Sequence, residues 1–206
     1  MAYSKFTVAG LEEKFGVEIS VVENLVGEFP PVEPSALLRS ILHRNLPMAL
    51  PSGSEKARSE WIVAPILAEV REVLGERISI HSGVEFVVDR KRGLDGFCDF
   101  LISDSPQQLL VEAPVLCAVE AKEHNLKLGI AQCIATMIAA RLFNERAGKS
   151  EPLICGCVTT GSAWLFMKLL DEKTVMIDQL EYPIRELDRL IGILVGLLKE
   201  KNRGIQ

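Results

Sequence analysis

Three side chains have types and spacing suited to chemistry. An aspartate lies inside the apolar run Phe97-Cys98-Asp99-Phe100-Leu101-Ile102. A glutamate and a lysine, two residues apart, end the run Cys117-Ala118-Val119-Glu120-Ala121-Lys122. Both runs read as strands. Strand side chains alternate between faces, so Glu120 and Lys122 point to one side and Ala121 offers only its carbonyl there. If the two strands are neighbours, Asp99 meets Glu120. Carboxylates ~4–5 Å apart repel strongly when partly buried, and a divalent cation relieves that repulsion. Hard oxygen ligands suit Mg²⁺ or Mn²⁺. The alternative is a buried ion-pair triplet with no metal. Buried charge of that kind stabilises a fold poorly, which shifts weight toward a functional site.

The surrounding pattern supplies elements to hold these residues. Ser35 is a plausible N-cap for a helix opening at Ala36, with Pro30, Pro31 and Pro34 upstream and Pro47 and Pro51 ending it. A second helix is expected over 54–73, kinked at Pro65 and ended by Gly75. Its stripe is Ile62, Ile66, Leu67, Val70 and Val73. Strand-like runs follow at 78–88, with a break at Gly83, then at 97–102 and 115–121. Gly93-Leu94-Asp95-Gly96 reads as the intervening turn and 103–114 as a loop. The segment 126–144 reads as a buried helix with a small-residue stripe at Ala131, Ala135 and Ala139. Strands at 153–159, 163–169 and 174–177 and an amphipathic helix at 184–201 complete the chain. This order suggests a mixed sheet with helices on both faces. Residues 1–52 read as a helical lead-in packed on a core domain of 53–206, one structural unit overall.

Two further polar residues sit in apolar company: Glu60 on the second helix and Gln132 on the buried one. Glu60 facing water and Gln132 as a hydrogen-bonded core amide are equally good readings. The set of a helical Glu60, a strand Asp99, then Glu120-Ala121-Lys122, then a helical Gln132 resembles the PD-(D/E)xK phosphodiesterase superfamily. The stretches that carry the likeness are Ser54-Glu55-Lys56-Ala57-Arg58-Ser59-Glu60, Gly93-Leu94-Asp95-Gly96-Phe97-Cys98-Asp99-Phe100, Val119-Glu120-Ala121-Lys122, Gly129-Ile130-Ala131-Gln132-Cys133 and 158–166, together roughly positions 54 to 170. They are also similar to an uncharacterised bacterial family within that superfamily. The proline that precedes the motif aspartate in many members is absent.

The resemblance implies a restriction endonuclease-like α/β/α sandwich with a central mixed β-sheet. It also implies hydrolysis of a nucleic-acid phosphodiester bond, most simply as a DNA endonuclease, with bound Mg²⁺ or Mn²⁺ in its place. Asp99 and Glu120 would hold the metal, with the Ala121 carbonyl as a third ligand and Glu60 acting through water or a second metal. Lys122 would orient the attacking water or stabilise developing charge, and Gln132 would position Lys122 or touch the substrate backbone. His124, Asn125, Lys127 and the turn Arg90-Lys91-Arg92 are weaker phosphate candidates, because a solvated loop explains them as well. His43 and His81 read as structural, and Trp61 and Trp164 as core.

The bulk numbers set limits. The chain has 206 residues, 48% hydrophobic and 25% charged, which suits one globular unit rather than disorder. Its net charge of −5 and pI near 5.4 argue against a broad basic nucleic-acid surface. Five cysteines with no Cys-x-x-Cys pair read as buried thiols. No apolar run is long enough to span a membrane and the first residues do not read as a secretory signal, so a cytoplasmic protein with no membrane partner is expected. A homodimer is one assembly that two-strand cleavage implies. Two other functions compete: a non-catalytic binding or assembly module on the same fold, and a metal hydrolase acting on a small phosphorylated substrate.

Overall fold

The computed structural model describes residues 3–149 and 153–200. After a 3-10 turn at Tyr3–Lys5 come α1 (Val8–Phe15), β1 (Glu18–Val22) and α2 (Ala36–Ala49). A continuous helix follows as α3 (Glu55–Arg58), a π turn (Ser59–Val63) and α4 (Ala64–Val73). Then come β2 (Ser79–Asp89), β3 (Leu94–Ser103), β4 (Val115–Ala121) and α5 (Lys127–Arg146). The chain continues through β5 (Ile154–Thr159), β6 (Ala163–Leu169), β7 (Thr174–Asp178), β8 (Tyr182–Pro183), a 3-10 turn at Ile184–Glu186 and α6 (Leu187–Lys199).

The strands form one mixed eight-stranded sheet in the order β1-β7-β6-β5-β4-β3-β2, with β8 attached to β6. The β1·β7 and β4·β5 pairs are parallel and the rest antiparallel. One apolar core lies between the sheet and α2, α4 and α6, and includes Ile66, Phe100, Val119, Cys157 and Leu194. The other lies between the opposite face and α1 and α5, and includes Leu11, Leu101, Ala118, Met137 and Val158. The chain is therefore α/β, with helices on both faces of a mixed sheet. Among the described residues no helix is long and apolar enough to cross a membrane.

Several expectations need correction. The first fifty residues are not only helical: β1 is an edge strand of the same sheet, so this segment is part of the domain's framework. Pro47 lies inside α2 rather than ending it. It falls in the last turn, where only one backbone bond is lost. The turn between β2 and β3 is Arg90–Gly93, closed by Gly93 N–H to the Arg90 carbonyl at 3.2 Å, and Leu94, Asp95 and Gly96 already belong to β3. Gly83 does not break β2. Trp164 is fully buried, whereas Trp61 is 39% exposed and is not core. The terminal helix stops at Lys199, and the Lys201 end of its expected span lies outside the described residues.

Local chemistry explains the helices around the site. Ser35 caps α2 by accepting the Leu38 N–H, and the Glu69 carboxylate on α4 in turn takes the Ser35 N–H and hydroxyl. Pro65 has no N–H for the Trp61 carbonyl one turn back. The nine-tenths-buried Asn45 supplies one from α2 at 2.9 Å. Asn45→Ala is expected to lower stability by about 1 kcal/mol in urea unfolding, because it takes this donor from the Trp61 carbonyl.

On the other face, α5 runs antiparallel to β4. The buried Asn144 near its end accepts the Val115 N–H at 2.7 Å and donates to the Val115 carbonyl at 2.9 Å. The close packing expected of the alanine stripe is shared by the sheet. Ala135 and Ala139 are fully buried, and a Cβ on Gly156 would stand 2.3 Å from Met137 Sδ. At the β2 edge, the Gln108 side-chain amide accepts the Ile80 N–H and donates to the Ile80 carbonyl, as a neighbouring strand would.

Candidate active site

The β2–β3 hairpin changes faces halfway along. Phe86, Leu94 and Cys98 pack on the α5 side, while Phe100 and Ile102, of the same parity in β3, pack on the α4 side. The change falls at Asp99. Across from it, between the pairs Val84↔Cys98 and Ser82↔Phe100, stands Gly83 with φ +60. A left-handed residue inside a strand rotates the ladder locally, and glycine takes that conformation without a Cβ penalty.

This rotation ends the β3–β4 ladder at Phe100↔Val119, so one step on Asp99 faces Glu120. Asp99 then replaces a strand carbonyl with its side chain: Oδ2 accepts the Ala121 N–H at 2.8 Å. What Ala121 gives the cluster is thus its N–H. The next backbone group along, Lys122 N–H, is taken by the Thr159 carbonyl of β5 at 2.7 Å.

Glu120 has no exposed surface, and neither carboxylate oxygen has a hydrogen-bond partner among the described residues. Lys122 Nζ lies 3.7 Å from Glu120 Oε2 and 3.5 Å from Glu55 Oε1, with its side chain 13% exposed. Burial, and after it the Asp99 carboxylate, push the Glu120 carboxyl well above the ordinary range. The Lys122 ammonium opposes this and Glu55 adds to it.

Comparison with family models, with curated proteins and with solved structures found no match. The geometry alone therefore carries the functional argument.

The structure brings together Asp99, Glu120 and Lys122 of the expected set. Glu60 is not with them: it is half-exposed and paired with Lys56 at 2.7 Å, one turn away on the same helix. The helical glutamate at the cluster is Glu55, the first residue of α3, whose N-cap Ser54 accepts the Ala57 N–H at 3.2 Å. Glu55 and Glu60 are five residues apart, about 140° around a helix, so one faces the site and the other water. The only sequence signal for Glu55 is that Ser54 cap. Gln132 is half-buried on α5, and among the described residues its amide makes no hydrogen bond to the cluster.

Of the weaker candidates, Asn125 accepts the Lys127 N–H at 3.0 Å in the turn that leads into α5, and His124 is exposed against Glu123 at 2.7 Å. His43 is exposed and His81 is bonded to Ser79 at 3.0 Å. Arg90 and Lys91 are exposed at the hairpin tip, while Arg92 stacks over Phe15. The five cysteines are buried and free.

Among the described residues no group of three or more His, Cys, Asp or Glu side chains is placed to hold a metal ion. Mg²⁺ does not require one: it keeps several waters and binds through one or two carboxylates. Two buried carboxylate oxygens that accept no hydrogen bond, beside a second carboxylate, are donors of the kind a hard cation takes.

Proposed function

We propose that this chain is a metal-dependent phosphodiesterase of the restriction endonuclease-like type, acting on nucleic acid and most simply on DNA. The observation that carries the reading is Glu120: wholly buried, with neither carboxylate oxygen hydrogen-bonded among the described residues, facing Asp99 and ion-paired only at 3.7 Å with Lys122. Buried charge held this loosely adds little to stability, which favours a functional use for it. Further support comes from the element order. A helix, the antiparallel strands β2, β3 and β4, the helix α5 and the parallel strand β5 put the aspartate on β3 and the Glu-Ala-Lys triplet at the end of the neighbouring β4.

In this reading Asp99 and Glu120 would hold Mg²⁺, and Ala121 contributes through its N–H to Asp99. The bound cation supplies Lewis acidity toward a phosphate and a more acidic water. Lys122 places a positive charge on the Glu120 side of the cluster, where a phosphate oxygen gains negative charge. Asp99 is held in place by the Ala121 N–H, and Glu55 holds the outer side of the Lys122 ammonium.

The test is cleavage of supercoiled plasmid and of single-stranded DNA with Mg²⁺ or Mn²⁺. Wild type is expected to cleave only with metal, and Lys122→Ala to lose at least about a hundredfold in rate. A folded wild type whose cleavage never exceeds that of the variant would overturn the proposal. One observation favours a second reading, a non-catalytic module on the same fold: Lys122 sits between two carboxylates in a chain of net charge −5, which weakens the attraction for phosphate. For that reading, Mn²⁺ leaves the melting temperature unchanged.

A further inference from the structure

The geometry points to Gly129 as the positioning residue for Lys122, a role that rests on the nuclease reading above. After Lys122 the chain passes through 123–126 and re-enters as α5, whose third residue is Gly129. Glycine inside a helix costs about 1 kcal/mol relative to alanine. No left-handed backbone asks for it here, since Gly129 has an ordinary negative φ. Space does ask for it. A Cβ at this position would stand 2.6 Å from Val158 Cγ1, 3.1 Å from Lys122 Cγ and 3.3 Å from Lys122 Cε.

The first turn of α5 therefore lies with its bare Cα against the methylene stem of the lysine, which is touched near both ends. That contact solves a particular problem. A lysine ammonium is a point charge on a long flexible stem with much rotamer entropy to lose. Here it must stand between Glu120 and Glu55 at 3.7 and 3.5 Å. Clamping the stem from the α5 side removes most of its alternatives before any substrate arrives.

A methyl group at 129 would meet two neighbours of different kinds, and this separates positioning from packing. Val158 is a fully buried core residue of β5. Lys122 is the functional side chain. Val158→Ala removes the carbon that a Cβ at 129 would strike, without making room against Lys122.

The experiment compares wild type, Gly129→Ala, Val158→Ala and the double variant by melting temperature and by kcat and KM for Mn²⁺-dependent plasmid nicking. Gly129→Ala is expected to melt lower and to lose at least about tenfold in kcat with KM within about twofold, since small misplacements of reacting groups are expensive. Val158→Ala alone is expected to keep the wild-type kcat. The double variant is expected to regain the melting temperature of Val158→Ala without regaining kcat. Recovery of kcat in the double variant, or a wild-type kcat in folded Gly129→Ala, would overturn the assignment. A crystal structure of the double variant reads the same claim without activity. A Lys122 amine more than about 4 Å from Glu120 supports the assignment. An amine still at its wild-type place defeats it. That arm stands even if wild type cleaves nothing, in which case the nuclease reading alone fails.

Discussion

Glu120→Gln is expected to stabilise the metal-free protein while abolishing its thermal response to Mn²⁺. Wild type keeps a carboxylate in the core with neither oxygen hydrogen-bonded and a second carboxylate facing it. A neutral amide of the same shape removes the repulsion and much of the desolvation cost. The expected gain is about 1–3 kcal/mol in urea unfolding without metal near neutral pH. The sign with pH follows from the same cause. Burial first, and Asp99 second, raise the Glu120 carboxyl above its ordinary range, so the folded state holds that proton more tightly than the unfolded state. Its contribution is fully present below the ordinary carboxylate value of about 4.3 and is lost as pH climbs through the raised value. The gain from glutamine should therefore grow with pH over that window. Mn²⁺ should raise the melting temperature of wild type and leave Glu120→Gln unchanged. A variant that is less stable than wild type at every pH, or that still responds to Mn²⁺, would remove Glu120 from the proposed metal site.

Asn144→Leu should cost about 3 kcal/mol. Asn144 is 1% exposed and its amide serves both backbone groups of Val115, the first residue of β4. Leucine fills a similar volume and serves neither, and each buried backbone group left alone costs about 1–3 kcal/mol. Chemical denaturation with an unchanged m-value would measure this. The same pair fixes the distal end of α5 to the start of β4, while Gly129 seats the proximal end over Lys122. Loosening the first is expected to lower metal-dependent cleavage as well as stability. A loss under 1 kcal/mol would show that water replaces the amide.

The central strands were readable because their signals were strong. The span 115–121 is five apolar residues followed by Glu120 and Ala121, and 163–169 is bounded by turn residues; the structure gives β4 and β6 those limits. The charged residues in such runs stood out against that background, which is why Asp99, Glu120 and Lys122 could be singled out. Weak elements were missed. β1 is a short edge strand whose residues are mostly exposed or half-exposed, so it lacks the clean alternation of a covered strand. The sequence pattern points to Glu60 and says nothing of Glu55, because the rotation of a helix about its axis is fixed by packing, here by Arg58, which donates to the Thr160 and Leu50 carbonyls. Nor could the pattern show that Gly83 turns the hairpin over at Asp99. A glycine in a strand says that something irregular happens, not which way the chain turns.

The amide of Gln108 has a consequence beyond its own two hydrogen bonds. A sheet that ends in an open strand is a template on which any passing extended chain can crystallise. β2 is such a strand, and its stretch nearest the α4 face is plugged at Ile80 by a side chain that imitates a neighbour. Further out the strand carries Glu85 and Asp89, charges that make a dry zipper unfavourable. The irregular, Gly83-turned strand beside the Asp99–Glu120–Lys122 cluster is thus a poor seed for fibrous growth on physical grounds.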